Sequence, residues 1–192
     1  MAYVSRGFIP QTSLASNLGF TRPMYIPAGN GTATALYDIV KVSTSGSTAD
    51  TAGVPAGLMG CVRVSDKDDV PCGVIVGFIA DPDYLNQTYR SASTARVALV
   101  NYDPQVVLEA QEDDNGTTLA VARIGTPVDL VPGSVDTTTG TSGMQISSAT
   151  LAGSPGMFRL QQRSFAVDNA AIAGTNTKWL VTFNTHQFKA TA

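Results

Sequence analysis

Short runs of apolar residues, each closed by Gly, Pro, Asn or Asp, follow one another along most of this 192-residue chain. No window of about a dozen residues keeps apolar side chains at the i, i+3, i+4 and i+7 spacing of an amphipathic helix without a Gly or Pro. The runs instead alternate between apolar and polar residues, or are apolar throughout, as strands are. Roughly eight to ten short strands at regular spacing predict a single all-β domain of the sandwich, jelly-roll or barrel-like type.

The predicted strands cover most of the chain after residue 31. They are residues 33–43, 58–65, 72–80, 94–102, 104–112, 118–125, 143–151, 156–166 and 178–188. Asn115-Gly116 lies between two of them, and this dipeptide favours a tight hairpin because both residues tolerate positive φ. The sequence therefore predicts that the strands on either side of it pair directly.

The last predicted strand carries the only Trp and the only His of the chain. Alternation places Trp179, Val181 and Phe183 on one face, which we expect to pack in the sheet core. The opposite face is polar, so we expect His186 to point to water or to a partner subunit. The one imidazole is therefore not expected to be catalytic.

Residues 1–31 differ from the rest because they carry three prolines and many apolar residues with no sustained period. We interpret this segment as an extended N-terminal arm attached to a β domain over residues 32–192. Its apolar content is too high for a solvated linker, so the arm should bury these groups on its own domain or on a neighbour. Ten of its residues are assigned by hypothesis to an interface with another chain: Tyr3, Arg6, Phe8, Ile9, Pro10, Leu14, Leu18, Phe20, Tyr25 and Ile26.

Charge is scarce, since only 14% of the residues are charged and the formal net charge is -3. Ordinary soluble domains hold about 25% charged residues, and no cluster of Lys or Arg is present to neutralise phosphates. Nucleic acid is therefore not an expected partner. No apolar run approaches the roughly 18 residues needed to span a bilayer, and the first residues do not resemble a secretory signal. Neither a membrane nor export is expected.

The two cysteines, Cys61 and Cys72, flank a short segment and could face each other across a hairpin. Because no export signal is recognised, we expect a reducing cytosol, in which structural cysteines stay as thiols. We therefore interpret both as reduced, buried thiols.

Acidic residues cluster at Asp66, Asp68 and Asp69, as they do in calcium-binding loops. The apolar Val-Pro pair that follows interrupts the calcium-loop pattern, so a solvated acidic turn is predicted. One His and two Cys cannot form a tetrahedral zinc site without distant carboxylates, and a cupin-type enzyme would need several His ligands. Neither a nucleophile elbow nor a phosphate-binding glycine loop is present. We expect no enzyme activity, no metal and no cofactor.

Six stretches stand in a characteristic order along the chain: SRGFIP, MYIPAGNGTATALYDIVKVS, GVIVGF, YRSASTARVALVNYDPQVVLEAQED, GTPVDLVPGSVDTTTGTSGMQISSAT and AGTNTKWLVTFNTHQF. Together they resemble the head proteins of tailed bacteriophages that decorate or cement the capsid. The resemblance covers nearly the whole chain, and QTSLASNLGFTRP, after the first stretch, is its most divergent part.

The resemblance implies a structural virion protein that binds the outer surface of the assembled capsid and stabilises it. The implied partners are the major capsid protein and other copies of the chain, in a homotrimer or else a dimer. The implied location is the capsid surface of the virion, after synthesis in the cytoplasm of the bacterial host. The predicted arm would be mobile in the free protein and ordered on the shell.

The alternative is another virion component, such as a fibre base or a β domain that binds a receptor or a glycan. Such a role predicts aromatic or acidic residues clustered in exposed loops. The long loop at residues 129–145 has no aromatic residue, which favours the capsid-binding role.

Overall fold

The computed structural model describes residues 5–14, 20–48, 50, 53–82, 85–115, 117–149, 155–166, 169 and 176–189. Over these residues the protein is all-β, as predicted, with one short 3-10 turn at Val121–Arg123. The strands are β1 (Ile9–Ser13), β2 (Thr21–Ile26), β3 (Ile39–Ser43), β4 (Gly60–Arg63), β5 (Gly73–Phe78), β6 (Arg96–Asn101), β7 (Val106–Gln111), β8 (Pro127–Val128), β9 (Leu130–Val131), β10 (Gln145–Ile146), β11 (Phe158–Arg163) and β12 (Lys178–Phe183). Within these ranges no helix has the length and apolar character that crossing a membrane requires.

The strands form two main sheets and one small pair. An open antiparallel sheet has the order β1-β7-β12-β11-β8, and β9 pairs with β10. The other five strands close into a barrel in the order β2-β4-β3-β5-β6, in which the β2–β4 contact is parallel. Closure removes the free strand edges of the barrel, whereas β1 and the short β8 are the edges of the open sheet.

Strands β3 and β5 face two cores at once, since neighbouring side chains of a strand point to opposite sides. Val40 and Ile75 point into the barrel and belong to its core. Ile39 and Val74 point away from it and join a second, larger core that contains Phe158 and other residues of the open sheet. The open sheet therefore packs on the barrel wall formed by β3 and β5, which combines a barrel with a sandwich.

The last strand, β12, confirms the prediction made from its alternation. Trp179, Val181 and Phe183 are buried in the larger core, each with 2% or less of its surface exposed. The indole N–H of Trp179 donates to the carboxylate of Glu112 at 3.2 Å. Burial raises the pKa of Glu112. Buried polar groups need such partners, and this bond orients the Trp179 ring in the core.

The hairpin predicted around Asn115-Gly116 is not formed. Strand β7 pairs with β1 and β12, and the segment after the Asn-Gly pair holds the 3-10 turn instead of a strand. The N–H of Leu119 donates to the Glu112 carboxylate at 2.9 Å, and the Asn115 side chain accepts the N–H of Thr117. These side-chain acceptors occupy backbone donors that a hairpin would use.

The N-terminal segment is part of the β domain, which corrects the division into an arm over residues 1–31 and a domain over residues 32–192. Strand β1 pairs with β7 at the edge of the open sheet, and β2 pairs along its whole length with β6 in the barrel. Phe8 stacks on Phe158 with ring centroids 4.5 Å apart, and Ile26 lies in the barrel core. Phe8, Met24 and Ile26 of the segment thus bury their side chains within their own chain, whereas Leu14 and Phe20 remain exposed.

Cys61 and Cys72 are free thiols buried in the barrel core. Burial raises the pKa of both thiols, that of Cys72 to about 12. Because the thiolate is the reactive form, we expect neither cysteine to react with Ellman's reagent in the native protein near neutral pH. Both should react after denaturation. Reaction of either thiol in the native protein at the rate of free cysteine would contradict this prediction.

Candidate interaction surface

Five side chains form an exposed cluster that we call the aromatic patch: Phe20, Arg22, Met59, Tyr102 and Phe188. The ring centroids of Phe20 and Tyr102 are 6.1 Å apart, and those of Tyr102 and Phe188 are also 6.1 Å apart in an edge-on arrangement. Phe20, Phe188 and Met59 remain 51%, 41% and 39% exposed. Rings at such distances attract each other, yet those of the aromatic patch leave much apolar surface in water.

Arg22 lies at the centre of the aromatic patch. Its guanidinium carbon is 4.6 Å from the ring centroid of Tyr102 and 4.8 Å from that of Phe188, so two rings make cation–π contacts with one cation. A guanidinium nitrogen also contacts the sulfur of Met59 at 3.2 Å. None of the ion pairs formed among the described residues involves Arg22. Aromatic rings, and not a carboxylate, therefore surround this charge.

The aromatic patch covers the end of the barrel at which β2 begins and β6 ends. The carbonyl of Phe20, just before β2, accepts the N–H of Tyr102, just after β6, at 2.9 Å. Arg22 lies on the same face of β2 as Met24 and Ile26, which are fully buried in the barrel core. Being nearer to the start of the strand, the Arg22 side chain lies where the barrel core opens to solvent.

The C-terminal segment brings Phe188 to the aromatic patch. The N–H of Gln187 donates to the Pro71 carbonyl at 2.8 Å, and the Gln187 side chain accepts the N–H of Val42 at 2.7 Å. These bonds tie the segment to β3 and to the chain that enters β5. Phe188 is therefore held against Tyr102, although the two residues are far apart in sequence.

His186 lies beneath the aromatic patch and is only 5% exposed, so the expectation that it points to water or to a partner subunit is wrong. Strand β12 ends at Phe183 and the chain then turns, which removes His186 from the alternation of the strand. Its Nδ1 accepts the N–H of Phe188 at 3.1 Å. Burial lowers the pKa of His186 to about 4, and the backbone of Cys72 offsets only part of this effect. The ring is therefore neutral near pH 7.

A run of neighbouring rings connects the aromatic patch to the larger core. Inward from Phe188, the ring of His186 lies at 5.8 Å, that of Phe183 at 5.0 Å from His186, and that of Phe158 at 5.5 Å from Phe183. Phe8 continues the run on Phe158. Close-packed interiors have low compressibility, so the position of Phe188 is set by the packing of the core behind it.

The structure separates the ten residues that the sequence assigns to an interface. Phe8 and Ile26 are fully buried and cannot contact another chain in the native state, which corrects their assignment. Phe20 belongs to the aromatic patch. Leu14 is 68% exposed, and its N–H donates to the carbonyl of Gln105. Of the others, Arg6 is exposed, Ile9, Pro10 and Tyr25 are partly exposed, and Tyr3 and Leu18 lie outside the described residues.

Sequence reasoning misses four members of the aromatic patch: Arg22, Met59, Tyr102 and Phe188. One usable signal is the two-residue spacing of Phe20 and Arg22, which puts both on one face of a strand. The other three residues reach the patch from distant segments. Their meeting depends on long-range strand pairing, which local periodicity does not encode.

The acidic turn has the structure that its sequence predicts. The Asp69 carboxylate accepts the N–H groups of Ser65 and Asp66 and forms an ion pair with Lys41. Among the residues that the structure describes, no group of three His, Cys, Asp or Glu side chains could hold a metal ion. The turn is explained by its own hydrogen bonds.

No protein-family model matches the sequence, and a search of curated proteins finds no match either.

Proposed function

We propose that this protein is a structural component of a bacteriophage virion that binds the outer surface of the assembled capsid and stabilises it, without catalysis. The aromatic patch carries the proposal, because it is an exposed set of interface-type side chains on a chain of low charge. The stretches that resemble capsid cement proteins support the same role. The protein is made in the cytoplasm of the bacterial host and reaches the virion surface by binding assembled heads.

The composition of the aromatic patch is typical of an interface centre. Aromatic residues, Met and Arg are enriched in interface cores, whereas Lys, Glu and Ser are depleted there. Arg and Tyr also dominate the residues whose truncation costs most binding energy. The rings of Tyr102 and Phe188 already contact the Arg22 guanidinium. Binding of a partner would therefore remove few additional water molecules from this charged group. We expect a carboxylate or a main-chain carbonyl of the major capsid protein opposite Arg22.

Repetition would supply the binding strength that a single patch lacks. Small interfaces bind weakly on their own, but copies joined in one oligomer turn later contacts into intramolecular events and raise the overall affinity. We propose a homotrimer, with a dimer as the other closed assembly. Light scattering on the purified protein distinguishes the two.

Replacing both Phe20 and Phe188 by alanine should weaken binding to heads that lack this protein by at least about 100-fold, since truncating a hot-spot residue costs about 2 kcal/mol or more. Both side chains are substantially exposed, so the fold should be kept, and a thermal melt verifies this. The measurement is co-sedimentation of labelled protein with purified heads of the phage that encodes it, over a range of protein concentrations.

Phe165→Ala is the matched control, because Phe165 is 86% exposed and follows β11. Arg163, the last residue of β11, pairs with Trp179 near the start of β12, whereas Phe188 follows the other end of β12. The four residue steps from Trp179 to Phe183 span about 13 Å, so the two positions lie beyond opposite ends of β12. The control should bind like the wild type. Equal binding of the double variant and the wild type would contradict the proposal, and so would heads that bind neither protein.

A further inference from the structure

A groove of about 500 Å³ lies between two loops of the protein. One wall is formed by residues 85–89, and the other by Thr137 and Thr138 of the long loop after β9. Volumes of this size are typical of sites for small ligands. The long loop has no aromatic residue of its own, but the fold places Tyr89 in the same groove.

Two buried arginines hold the first wall. The guanidinium of Arg96 donates to the carbonyls of Gln87 and Tyr89, the former at 2.9 Å. Arg90 follows the wall directly, and its backbone N–H and carbonyl both bond to the backbone of Thr34 at 2.7 and 2.9 Å. The wall is therefore fixed to the body of the protein immediately after Tyr89.

Asp136 and Gly140 hold the second wall. The Asp136 carboxylate accepts the N–H groups of Thr138 and Thr139, which fixes the turn at this point. Gly140 has a φ of 72° and lies so close to the first wall that an added Cβ would be 2.0 Å from Oγ1 of Thr88. Only glycine tolerates both the positive φ and the lack of space for a Cβ. The close approach of Gly140 to Thr88 brings the two walls into contact, so the groove is preformed.

The groove offers hydrogen-bonding groups without charge. Apart from the apolar Leu85, its lining residues are of types that carry amides, hydroxyls or one aromatic ring: Asn86, Gln87, Thr88, Tyr89, Thr137 and Thr138. The Gln87 amide already donates one N–H to the Ser91 hydroxyl at 2.7 Å. An anionic ligand would call for Lys or Arg and a metal ion for carboxylates, and no described residue of these types lines it. Amides and hydroxyls both donate and accept hydrogen bonds, and an aromatic ring adds a flat apolar face. From this geometry we propose that the groove binds a neutral oligosaccharide.

The groove and the aromatic patch lie towards opposite ends of the same two strands. In the β2–β6 pair, Thr21 lies opposite Asn101 at the patch end, and Ile26 lies opposite Arg96, which holds the groove wall. Five residue steps along β2 separate these ends by about 17 Å. A copy bound to the capsid through the aromatic patch would therefore turn the groove outward. That orientation rests on the proposed function, whereas sugar binding by the free protein does not.

Saturation-transfer-difference NMR on the purified full chain tests the proposal. The neutral probes are maltohexaose, cellohexaose and tri-N-acetylchitotriose, and the acidic probe is trigalacturonic acid. We expect saturation transfer to at least one neutral probe and none to the acidic probe. Tyr89→Ala should weaken binding of that neutral probe about tenfold through loss of the ring, and Asn86→Ala about threefold through loss of hydrogen bonds.

Thr12→Ala, at an exposed position of β1, is the control and should bind like the wild type. Asn86 is exposed as well, so Asn86→Ala decides the question if Tyr89→Ala fails to fold. Absence of transfer to all three neutral probes overturns the proposal, and so does wild-type affinity in the folded groove variants. Transfer to the acidic probe alone also overturns it. No capsid is present in this experiment, so its outcome is independent of whether the aromatic patch binds heads.

Discussion

The Arg90→Ala variant is expected to lose about 3–5 kcal/mol of its free energy of unfolding, because it removes the donor from a buried hydrogen-bond network. Arg90 is fully buried although it carries a charge. Its guanidinium donates to four carbonyl oxygens at 2.6 to 2.9 Å, those of Pro27, Asn30, Thr32 and Thr94.

Carbonyl dipoles take the place of a carboxylate around Arg90. A guanidinium carries five N–H donors in a planar fork, and the surrounding loops present acceptors to it from several directions. Burial lowers the pKa of Arg90, but the group stays charged near neutral pH because arginine pKa values start above about 12. After truncation the carbonyls would lose their donor, and each buried unpaired group costs about 1–3 kcal/mol.

Urea denaturation measures the loss for Arg90→Ala directly, and the melting temperature should fall by roughly 6–20 °C in a chain of this length. Arg90→Lys should also be destabilised, because one ammonium group cannot reach four carbonyls placed for a planar fork. Arg159→Ala is the matched control: Arg159 is exposed and donates to Gly125 and Asn184. It should lose at most about 1 kcal/mol. Equal losses for Arg90→Ala and Arg159→Ala would contradict the role given to burial.

Strands that alternate clearly are predictable from sequence, and strands that contain proline are not. Strands β5 and β6 lie within their predicted ranges because each has a β-branched, apolar run bounded by turn residues. Pro10 and Pro23 instead favour the prediction of an extended arm. Pro10 is tolerated because β1 is a sheet edge, where a missing N–H costs little. Pro23 lies in β2, which pairs with β4 at Tyr25 only, so at Pro23 only β6 borders the strand.

Of the five residues of the aromatic patch, the sequence predicts only Phe20 as an interface residue. The apolar content of the N-terminal segment pointed to Phe20 and Leu14, which are indeed exposed. Phe8 resembled them in sequence but is buried, because Phe158 and the rest of the larger core lie within its reach. An apolar side chain is buried only if residues from other strands pack against it. Because those strands are distant in sequence, the local pattern around Phe8, Leu14 and Phe20 does not distinguish the buried residue from the exposed ones.

Protonation of His186 should lower the free energy of unfolding by up to about 3 kcal/mol between pH 7 and pH 4. In the unfolded chain the imidazole takes up its proton near the usual pKa of 6.5, whereas burial lowers the pKa in the folded protein to about 4. Between these values the unfolded state binds more protons than the folded state, so acid favours unfolding. The contribution is fully present above the unfolded pKa and is lost as the pH falls to about 4.

Two buried carboxyl groups act in the opposite direction. Burial raises the pKa of Glu112 and of Asp38, and in Asp38 the ion pair with Arg63 offsets part of the rise. Because these groups hold a proton more tightly in the folded state than in the unfolded state, they favour the folded protein as the pH falls. The pH dependence of the wild type alone therefore does not isolate the histidine.

His186→Asn isolates it, because asparagine keeps an acceptor for the N–H of Phe188 but has no group that titrates in this range. Urea denaturation at several pH values should show the wild type losing up to about 3 kcal/mol more than the variant between pH 7 and pH 4. A difference between the two proteins that stays constant with pH would contradict the buried, neutral imidazole. Since the His186 ring separates Phe183 from Phe188, a charge there would also displace the support of the aromatic patch. Acid should therefore weaken the proposed binding to heads more in the wild type than in the His186→Asn variant.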